Sequence, residues 1–427
     1  MIRKIILCGI TLVAMFANWT EPLDHAKSQN LDAPQTITAL KFTTEFNNNL
    51  LEDISTDGQL LLFYETKVPM RTFTFPIDTA IRATRNQPWS SEDVLRVVDR
   101  KSGQEISRIT TNSFSNHAQF LPGTDQVLYL ERNGVPYVRD INSLHRHGVF
   151  VKLWLPRTGK VDTCIDTGTV RLPQGAREFS VYGAVSPVKA ITRFWGLGTG
   201  DTLVAMTLPN CSLTTIGPLS SSNPQAEHIG TVSISPRGDQ IAFGTREEVV
   251  IVRDANSLSL VKEIESPSGM SLGENPVYTP DGKFLIVLAA NTIFDQPGTK
   301  RYLIFYDTRT YLIARQLDVT NWSSPKLERS SQLSNTIGTT MAVSPDSKMM
   351  AVAYTRELRK IFSVTEEAEV VLYDLTSGNV LARAKHPISG KKKDDPFAAR
   401  INKLRFTPDG KYLLSSTYDT LVWELRN

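Results

Sequence analysis

The chain of 427 residues has few cysteines, few histidines and almost no net charge. Its three cysteines exclude a small disulfide-dense scaffold, and its six histidines give little support for a histidine-based metal centre. Lys and Arg number 47 against 44 Asp and Glu, which leaves a net charge of +3. So small a surplus gives no argument for a nucleic-acid partner or an electrostatically bound membrane surface. With 41% hydrophobic and 21% charged residues, the composition is that of an ordinary globular protein.

After residue 17 the sequence has no apolar run of membrane-spanning length. The start of the chain is different, because Arg3 precedes a mostly apolar run over residues 5–16. A basic start followed by such a run predicts a signal peptide that ends near Ala17. Met15 lies where cleavage favours a small side chain, so an uncleaved anchor and a cytosolic protein with a buried first segment stay open as alternatives. We therefore predict a secreted or periplasmic protein with no further membrane span.

A turn of the form Ser/Thr-Pro-Asp-Gly, followed by a short apolar run, recurs along the chain. Four clear copies and three weaker ones begin at Ser235, Thr279, Ser344 and Thr407, and at Ser55, Leu121 and Ser186. Proline fixes φ at the second position and glycine tolerates positive φ at the fourth, so the turn predicts a tight reversal between two strands. Successive copies lie 44 to 66 residues apart, and the shortest spacing is that of a four-stranded propeller blade.

A second turn, Asp-x-x-Ser/Thr, lies between two alternating strands later in the repeat. Its copies begin at Asp99, Asp254, Asp307 and Asp374. In the second repeat both Asp140 and residues 157–160 fit this turn. The repeating unit is therefore strand, first turn, strand, loop, strand, second turn, strand. Such a unit cannot bury both faces alone, and it does so when several units stack around an axis.

At these residues the sequence resembles the WD40 and YVTN-type β-propellers, including the bacterial WD40-like group. The Trp-Asp dipeptide of WD40 blades corresponds here to Val98-Asp99, Arg253-Asp254, Tyr306-Asp307 and Tyr373-Asp374, and to Trp423-Glu424 in the last repeat. The resemblance covers residues 36–427. It implies an all-β fold, a β-propeller of four-stranded antiparallel blades. The repeats indicate seven blades, and eight is the alternative.

The repeats also predict the domain organisation. We expect a signal peptide (or anchor) over residues 1–17, a linker over 18–35 and a single propeller domain over 36–427. The last repeat supplies only three strands. We therefore expect the alternating segment 36–46 to pair with its final strand and close the ring, which removes an open sheet edge.

Signal cleavage would leave two cysteines, Cys164 and Cys211. They are 47 residues apart, about the length of one short repeat, and could occupy equivalent places in neighbouring blades. Export permits a disulfide between them. Two separate buried thiols are the alternative.

Three short motifs give no prediction of chemistry. Residues 269–273 fit the pattern G-x-S-x-G, but they fall between two repeats and not between a strand and a helix, and we interpret them as a loop. His145 and His147 have no third zinc ligand nearby, and the basic residues 391–393 are followed by two aspartates. We therefore predict no catalytic residue, no metal site and no cofactor, although carboxylates converging in the central channel would permit acid–base chemistry.

One face of the predicted propeller carries the long insertions. Strand direction alternates within a blade, so both turn types share one face and the insertions fall on the opposite face. These insertions are residues 65–93, 291–301, 321–335, 355–369 and 387–399. They contain arginine and aromatic residues of the kind that anchor interfaces: Arg71, Phe73, Phe75, Arg82, Arg85, Trp89, Trp322 and Phe362. We predict that these side chains bind a partner, and inward packing is the alternative.

The leading function is a scaffold that binds an unidentified protein, ligand or other macromolecule through this face. The alternative is a propeller enzyme, a lactonase or other hydrolase, with its site at the central channel. A structural subunit of an envelope complex is the third class. Resemblance of fold does not choose among them, because propellers serve as enzymes and scaffolds alike.

Overall fold

A computed structural model describes most of the predicted domain. The described residues are 39–46, 50–65, 93–111, 118–132, 149–166, 176–180, 185–186, 189–196, 202–207, 211–218, 229–245, 248–273, 275–291, 300–320, 340–360, 363–386, 401–417 and 419–426. All of them belong to the larger of two compact units, Ile37–Asn427. The predicted signal peptide and linker lie outside the described residues.

The described residues form strands and turns, arranged in seven antiparallel sheets. Sheet 1 consists of β2 (Leu50–Ile54), β3 (Leu60–Glu65), β4 (Asp93–Asp99) and β5 (Glu105–Thr111). Sheet 2 consists of β6 (Ala118–Phe120), β7 (Val127–Arg132), β8 (Val149–Leu155) and β9 (Lys160–Asp166). Sheet 3 consists of β10 (Ala176–Ser180), β11 (Val185–Ser186), β12 (Lys189–Gly196), β13 (Thr202–Thr207) and β14 (Ser212–Pro218).

The remaining sheets repeat this pattern. Sheet 4 consists of β15 (Ile229–Ile234), β16 (Gln240–Thr245), β17 (Val250–Asp254) and β18 (Leu260–Ile264). Sheet 5 consists of β19 (Ser271–Leu272), β20 (Val277–Tyr278), β21 (Phe284–Ala290), β22 (Arg301–Asp307) and β23 (Ile313–Asp318). Sheet 6 consists of β24 (Met341–Val343), β25 (Met349–Lys360), β26 (Ser363–Asp374) and β27 (Val380–His386). Sheet 7 consists of β28 (Lys403–Phe406), β29 (Tyr412–Ser416), β30 (Thr420–Arg426) and β1 (Ala39–Phe46).

Strand order follows the chain, as expected for a meander, except that β10 and β11 both pair with β12, that β19 and β20 both pair with β21, and that β1 joins sheet 7. There β1 lies at the outer edge and pairs antiparallel with β30, from Ala39↔Arg426 to Phe46↔Thr420, with a bulge between Phe42 and Thr44. The Thr43 hydroxyl donates to the Val422 carbonyl at 3.0 Å. The segment expected to meet the final strand therefore does so.

Contacts between innermost strands connect sheets 4, 5, 6, 7, 1 and 2 in that order, as in a propeller. Sheet 3 is joined to sheet 2 by a disulfide between Cys164 and Cys211, whose Cα atoms are 5.3 Å apart. The strand contacts thus show six successive blades, one fewer than the sequence predicts.

Apolar side chains fill the space between neighbouring blades. Buried Phe305 of β22 and Met350 of β25 belong to one cluster between sheets 5 and 6. Buried Val370 of β26 and Leu404 of β28 belong to another between sheets 6 and 7. These layers explain the apolar runs after each turn, because a second strand buried on both sides needs no polar face.

The structure also settles which turn ends the second repeat. The β8–β9 turn uses residues 155–160, where the Gly159 N–H donates to the Leu155 carbonyl at 2.8 Å and Gly159 has φ of 72°. Asp140 lies outside the described residues.

Candidate functional site

The Ser/Thr-Pro-Asp-Gly turn is held by the hydroxyl of its first residue. Ser344 Oγ donates to Asp346 Oδ1 at 2.6 Å and accepts from the Met349 N–H at 2.8 Å. The same pair of bonds recurs at Ser55, Thr279 and Thr407. The hydroxyl and the carboxylate are therefore what these four copies share, because one copy has Thr56 in place of proline and another has Ser347 in place of glycine.

The Asp-x-x-Ser/Thr turn is held by its aspartate. Asp374 Oδ1 accepts from the Thr376 N–H at 2.9 Å, and from the N–H and hydroxyl of Ser377 at 2.5 and 2.9 Å. Hydrogen bonds from Ser102 to the equivalent Asp99 hold the pKa of that carboxyl below its usual range. These carboxylates accept the hydrogen bonds that hold their own turns.

Both turn types lie at one end of the blades, which is called the turn face below. The Leu375 N–H, just after one turn, donates to the Lys348 carbonyl, just after the other, at 2.7 Å. The Arg100 N–H donates in the same way to the Gln59 carbonyl at 2.8 Å. The prediction that both turns share one face is confirmed.

A shallow cavity of about 360 Å³ opens on the turn face between sheets 6 and 7. It is lined by Pro345, Asp346, Met349, Pro408, Asp409 and Gly410. The Asp409 carboxylate accepts from the Thr407 hydroxyl at 2.5 Å, and that of Asp346 from the Ser344 hydroxyl. Because both carboxylates serve their turns, the cavity is a gap between two neighbouring turns.

The opposite face carries a feature that the sequence does not predict. Residues 355–369 were expected to form a loop, but β25 and β26 remain paired throughout, from Met349↔Asp374 to Lys360↔Ser363. β24 pairs with β25 only as far as Val352, and β27 pairs with β26 only from Ala368. Residues 355–360 and 363–367 therefore form a two-stranded ribbon, about 20 Å long.

The ribbon has a polar sequence at both sets of alternating positions. One face takes residues 356, 358 and 360 with 363, 365 and 367, which read Arg, Leu, Lys, Ser, Thr and Glu. The other takes 355, 357 and 359 with 364 and 366, which read Thr, Glu, Arg, Val and Glu. Neither pattern is that of a sheet face packed on a core.

A cluster of charges lies on the innermost strands of sheets 1 and 7. Lys403 Nζ is 3.6 Å from Glu52 Oε2, and Arg405 Nε is 3.9 Å from Asp53 Oδ1. Asp53 Oδ2 also accepts from the Phe120 N–H of sheet 2 at 2.9 Å. Asp53 therefore contacts the blades on both sides of its own.

Burial governs the protonation of this cluster. It raises the pKa of Asp53, and the positive charges of Arg405 and Lys403 oppose that shift. It lowers the pKa of Lys403, and the charge of Glu52 opposes that shift. The two carboxylates face two cations, so the cluster is an ion-pair network that joins three blades.

The structure gives no support for chemistry at the short motifs noted in the sequence. Ser271 of the G-x-S-x-G pattern begins β19, which pairs with β21, so this segment is a short strand and not the loop that was expected. No helix follows it within the described residues, as a nucleophile elbow would need. His145, His147 and residues 391–393 lie outside the described part of the chain. The described residues contain no group of three metal-ligating side chains.

The side chains predicted to bind a partner all lie outside the described residues. They are Arg71, Phe73, Phe75, Arg82, Arg85, Trp89, Trp322 and Phe362. Sequence reasoning missed the contact between Asp53 and Arg405 on the innermost strands. The alternation Lys403-x-Arg405 in an otherwise apolar inner strand is the signal that could have indicated them.

Comparison with known proteins adds no family to these observations. No protein-family model matches the chain, and no curated protein matches it. Among the described residues no helix is long and apolar enough to cross a membrane. The propeller arrangement is therefore supported by the repeats and the sheets themselves.

Proposed function

We propose that the protein is an exported β-propeller scaffold that binds a macromolecular partner through the face opposite the turn face. The observation that carries this proposal is the ribbon. It extends beyond both neighbouring strands of its sheet, and its sequence gives neither set of alternating positions an apolar pattern. A projecting element of polar sequence on a rigid scaffold is a typical place for recognition.

The insertions predicted on the same face would complete this surface. In repeat architectures, insertions gathered on one face often form the binding side. Phe73, Arg85 and Trp89 in the longest insertion are residue types that dominate interface energetics. In this proposal they anchor the partner beside the ribbon.

A rigid scaffold of this kind requires a closed ring. We propose seven blades, with sheet 3 between sheets 2 and 4. The seven turn motifs support this number, and the pairing of β1 with β30 supplies the outer strand of sheet 7. The disulfide between Cys164 of β9 and Cys211, which precedes β14, supports placing sheet 3 beside sheet 2.

An extracytoplasmic location fits both the start of the sequence and the disulfide. Disulfides persist in oxidising compartments and are rare in the cytosol. Cys164 and Cys211 belong to neighbouring sheets, so their bond fastens one blade to the next. A secreted or periplasmic protein is therefore part of the proposal.

The test is partner capture from an envelope extract by the mature protein and by a ribbon-shortened variant. Replacing residues 356–367 with Asn-Gly would join the paired residues Thr355 and Ala368 by a two-residue hairpin turn and keep the buried Ala368. We expect this variant to melt at the temperature of the parent and to capture much less of the partner. We expect the same two results for F73A/R85A/W89A. The control is R309A, whose side chain is 85% exposed on the turn face. Undiminished capture by both variants would overturn the proposal.

The alternative, a hydrolase with its site at the channel, has one supporting observation. Asp53 lies on an innermost strand, its side chain remains 19% exposed, and burial raises its pKa. A carboxyl of this kind suits general acid–base catalysis. Turnover of lactone or ester substrates that D53N abolishes, with folding intact, would favour this alternative.

A further inference from the structure

We infer that the β25 edge of the ribbon binds an extended acidic segment of the partner by β-strand addition. This inference rests on the proposed function and names the chemistry of the partner. It concerns residues 355–360 on β25 and 363–367 on β26. Three observations support it: the edges of the ribbon are not covered by a described strand, its two strands differ in charge, and this charge pattern disfavours pairing with a second copy of the chain.

The first observation is that no described strand covers either edge of the ribbon. On one side β24 pairs with β25 through Val352, and the Ala353 N–H donates to the Thr340 carbonyl. On the other side β27 pairs with β26 from Ala368 to Tyr373. Backbone groups point outward at alternate residues of a paired strand, so three of the six residues on β25 are placed to pair with one extended segment.

The second observation is that the two edges differ in charge. The β25 edge contains Arg356, Arg359 and Lys360 against the single acid Glu357. The β26 edge contains Glu366 and Glu367 and no base among residues 363–367. Opposite charges on neighbouring strands stabilise a sheet and like charges destabilise it. The β25 edge therefore favours an acidic strand.

The third observation is that the charge pattern disfavours a second copy of the chain as the strand that pairs with this edge. A twofold dimer would place like edges side by side, β25 on β25 or β26 on β26. The first arrangement brings together two strands that each have a net positive charge, and the second brings together two that each have a net negative charge. Opposite charges would meet only if β25 of one copy paired with β26 of the next. Such head-to-tail pairing does not close into a dimer. The charge pattern favours a different partner.

The experiment uses the mature protein and two labelled peptides of eight residues, one alternating Glu with Val and the other Lys with Val. We expect the acidic peptide to bind at least tenfold more tightly than the basic one. Hydrogen exchange should slow at residues 355–360 in the complex, because strand addition protects backbone amides. R356E/R359E/K360E should reverse the preference, and E366Q/E367Q, the matched control on the other edge, should leave it unchanged.

Three outcomes would overturn the inference. They are equal binding of the two peptides, binding without slower exchange in β25, and slower exchange that depends on protein concentration alone, which would indicate self-association. The scaffold proposal is judged separately. If the ribbon-shortened variant loses the natural partner while the acidic peptide fails to bind, the inference is wrong and the proposed function stands.

Discussion

The guanidinium carbon of Arg100 in sheet 1 lies 4.6 Å from the centre of the Tyr412 ring in sheet 7. The Arg100 Nε donates to the Gly58 carbonyl at 2.8 Å, and its Nη2 is 4.0 Å from Asp409. One side chain therefore joins the blade that begins the repeats to the blade that contains both terminal strands.

Removing this side chain should weaken that junction. We expect R100A to lower the free energy of unfolding by about 1–3 kcal/mol, from the lost ring contact and hydrogen bond. R100K should recover only part, because an ammonium lacks the planar fork of donors. Urea unfolding measures the effect, with R309A as the exposed control. A loss equal to that of R309A would show that the junction does not depend on Arg100.

The same junction makes Gly58 hard to replace. A Cβ at Gly58 would lie 2.9 Å from Cδ of Pro408, whereas a Cβ at Gly103 would meet nothing within 4 Å. Both glycines have positive φ, 70° and 72°. G103A should therefore show the backbone cost alone, about 1 kcal/mol, and G58A about 1–3 kcal/mol more. Thermal melts of the two variants check this difference, and equal melting temperatures would contradict it.

The pairing of β1 with β30 predicts the effect of an N-terminal deletion. β1 covers the edge of β30, and the Phe46 ring lies 5.0 Å from that of Phe63 in sheet 1. Deletion of residues 36–46 should abolish cooperative unfolding and promote aggregation through the exposed edge. Deletion of residues 18–35, the predicted linker, is the matched control and should leave the melt unchanged. Cooperative melting of the first variant at the parent temperature would show that β1 is dispensable.

Reduction of the disulfide should lower stability without changing the fold. The bond closes a segment of 47 residues, and the chain-entropy model gives about 4 kcal/mol for such a loop. We expect C164A/C211A, and the parent in reductant, to lose a similar amount. Mass spectrometry of the unreduced protein is the first check. Two free thiols, or an unaltered melt after reduction, would contradict this prediction.

Asp53 should make stability depend on pH. Its pKa is raised in the folded protein, so the folded state binds its proton more tightly than the unfolded state does. The favourable contribution is present below the unfolded pKa and is lost as pH rises through the folded pKa. In the parent, the free energy of unfolding should therefore fall between pH 3 and pH 7 because of Asp53. In D53N, which cannot ionise at this position, that fall should be smaller. Parallel pH profiles would show that Asp53 contributes no such dependence.

The turns could be predicted because their chemistry is local. Proline, aspartate and glycine within four residues fix the reversal at Thr407, and the same hydroxyl and carboxylate hold each copy. Ser347 has a φ of 59° at the position where the other clear copies have glycine. The turn forms there without glycine, and the hydrogen bond from Ser344 to Asp346 is retained. Four-stranded antiparallel blades follow from these local signals.

The ribbon and the cluster of charges on the innermost strands could not be predicted in the same way. Residues 355–369 have no apolar alternation, so nothing in their sequence indicates that they stay paired. Asp53 and Arg405 are far apart in sequence, and only the neighbouring positions of β2 and β28 bring them to 3.9 Å. Two-residue strands such as β19 carry too few residues for any periodicity to appear.

The pairing of β1 with β30 has a consequence for the order in which the protein acquires its structure during synthesis. β1 is made first among the described strands, and its partner is made last, 379 residues later at the Thr43–Val422 hydrogen bond. Until then β1 has no strand to pair with in a nascent chain. If the chain crosses a membrane unfolded, the pair of β1 with β30 can form only after translocation has delivered residues 420–426.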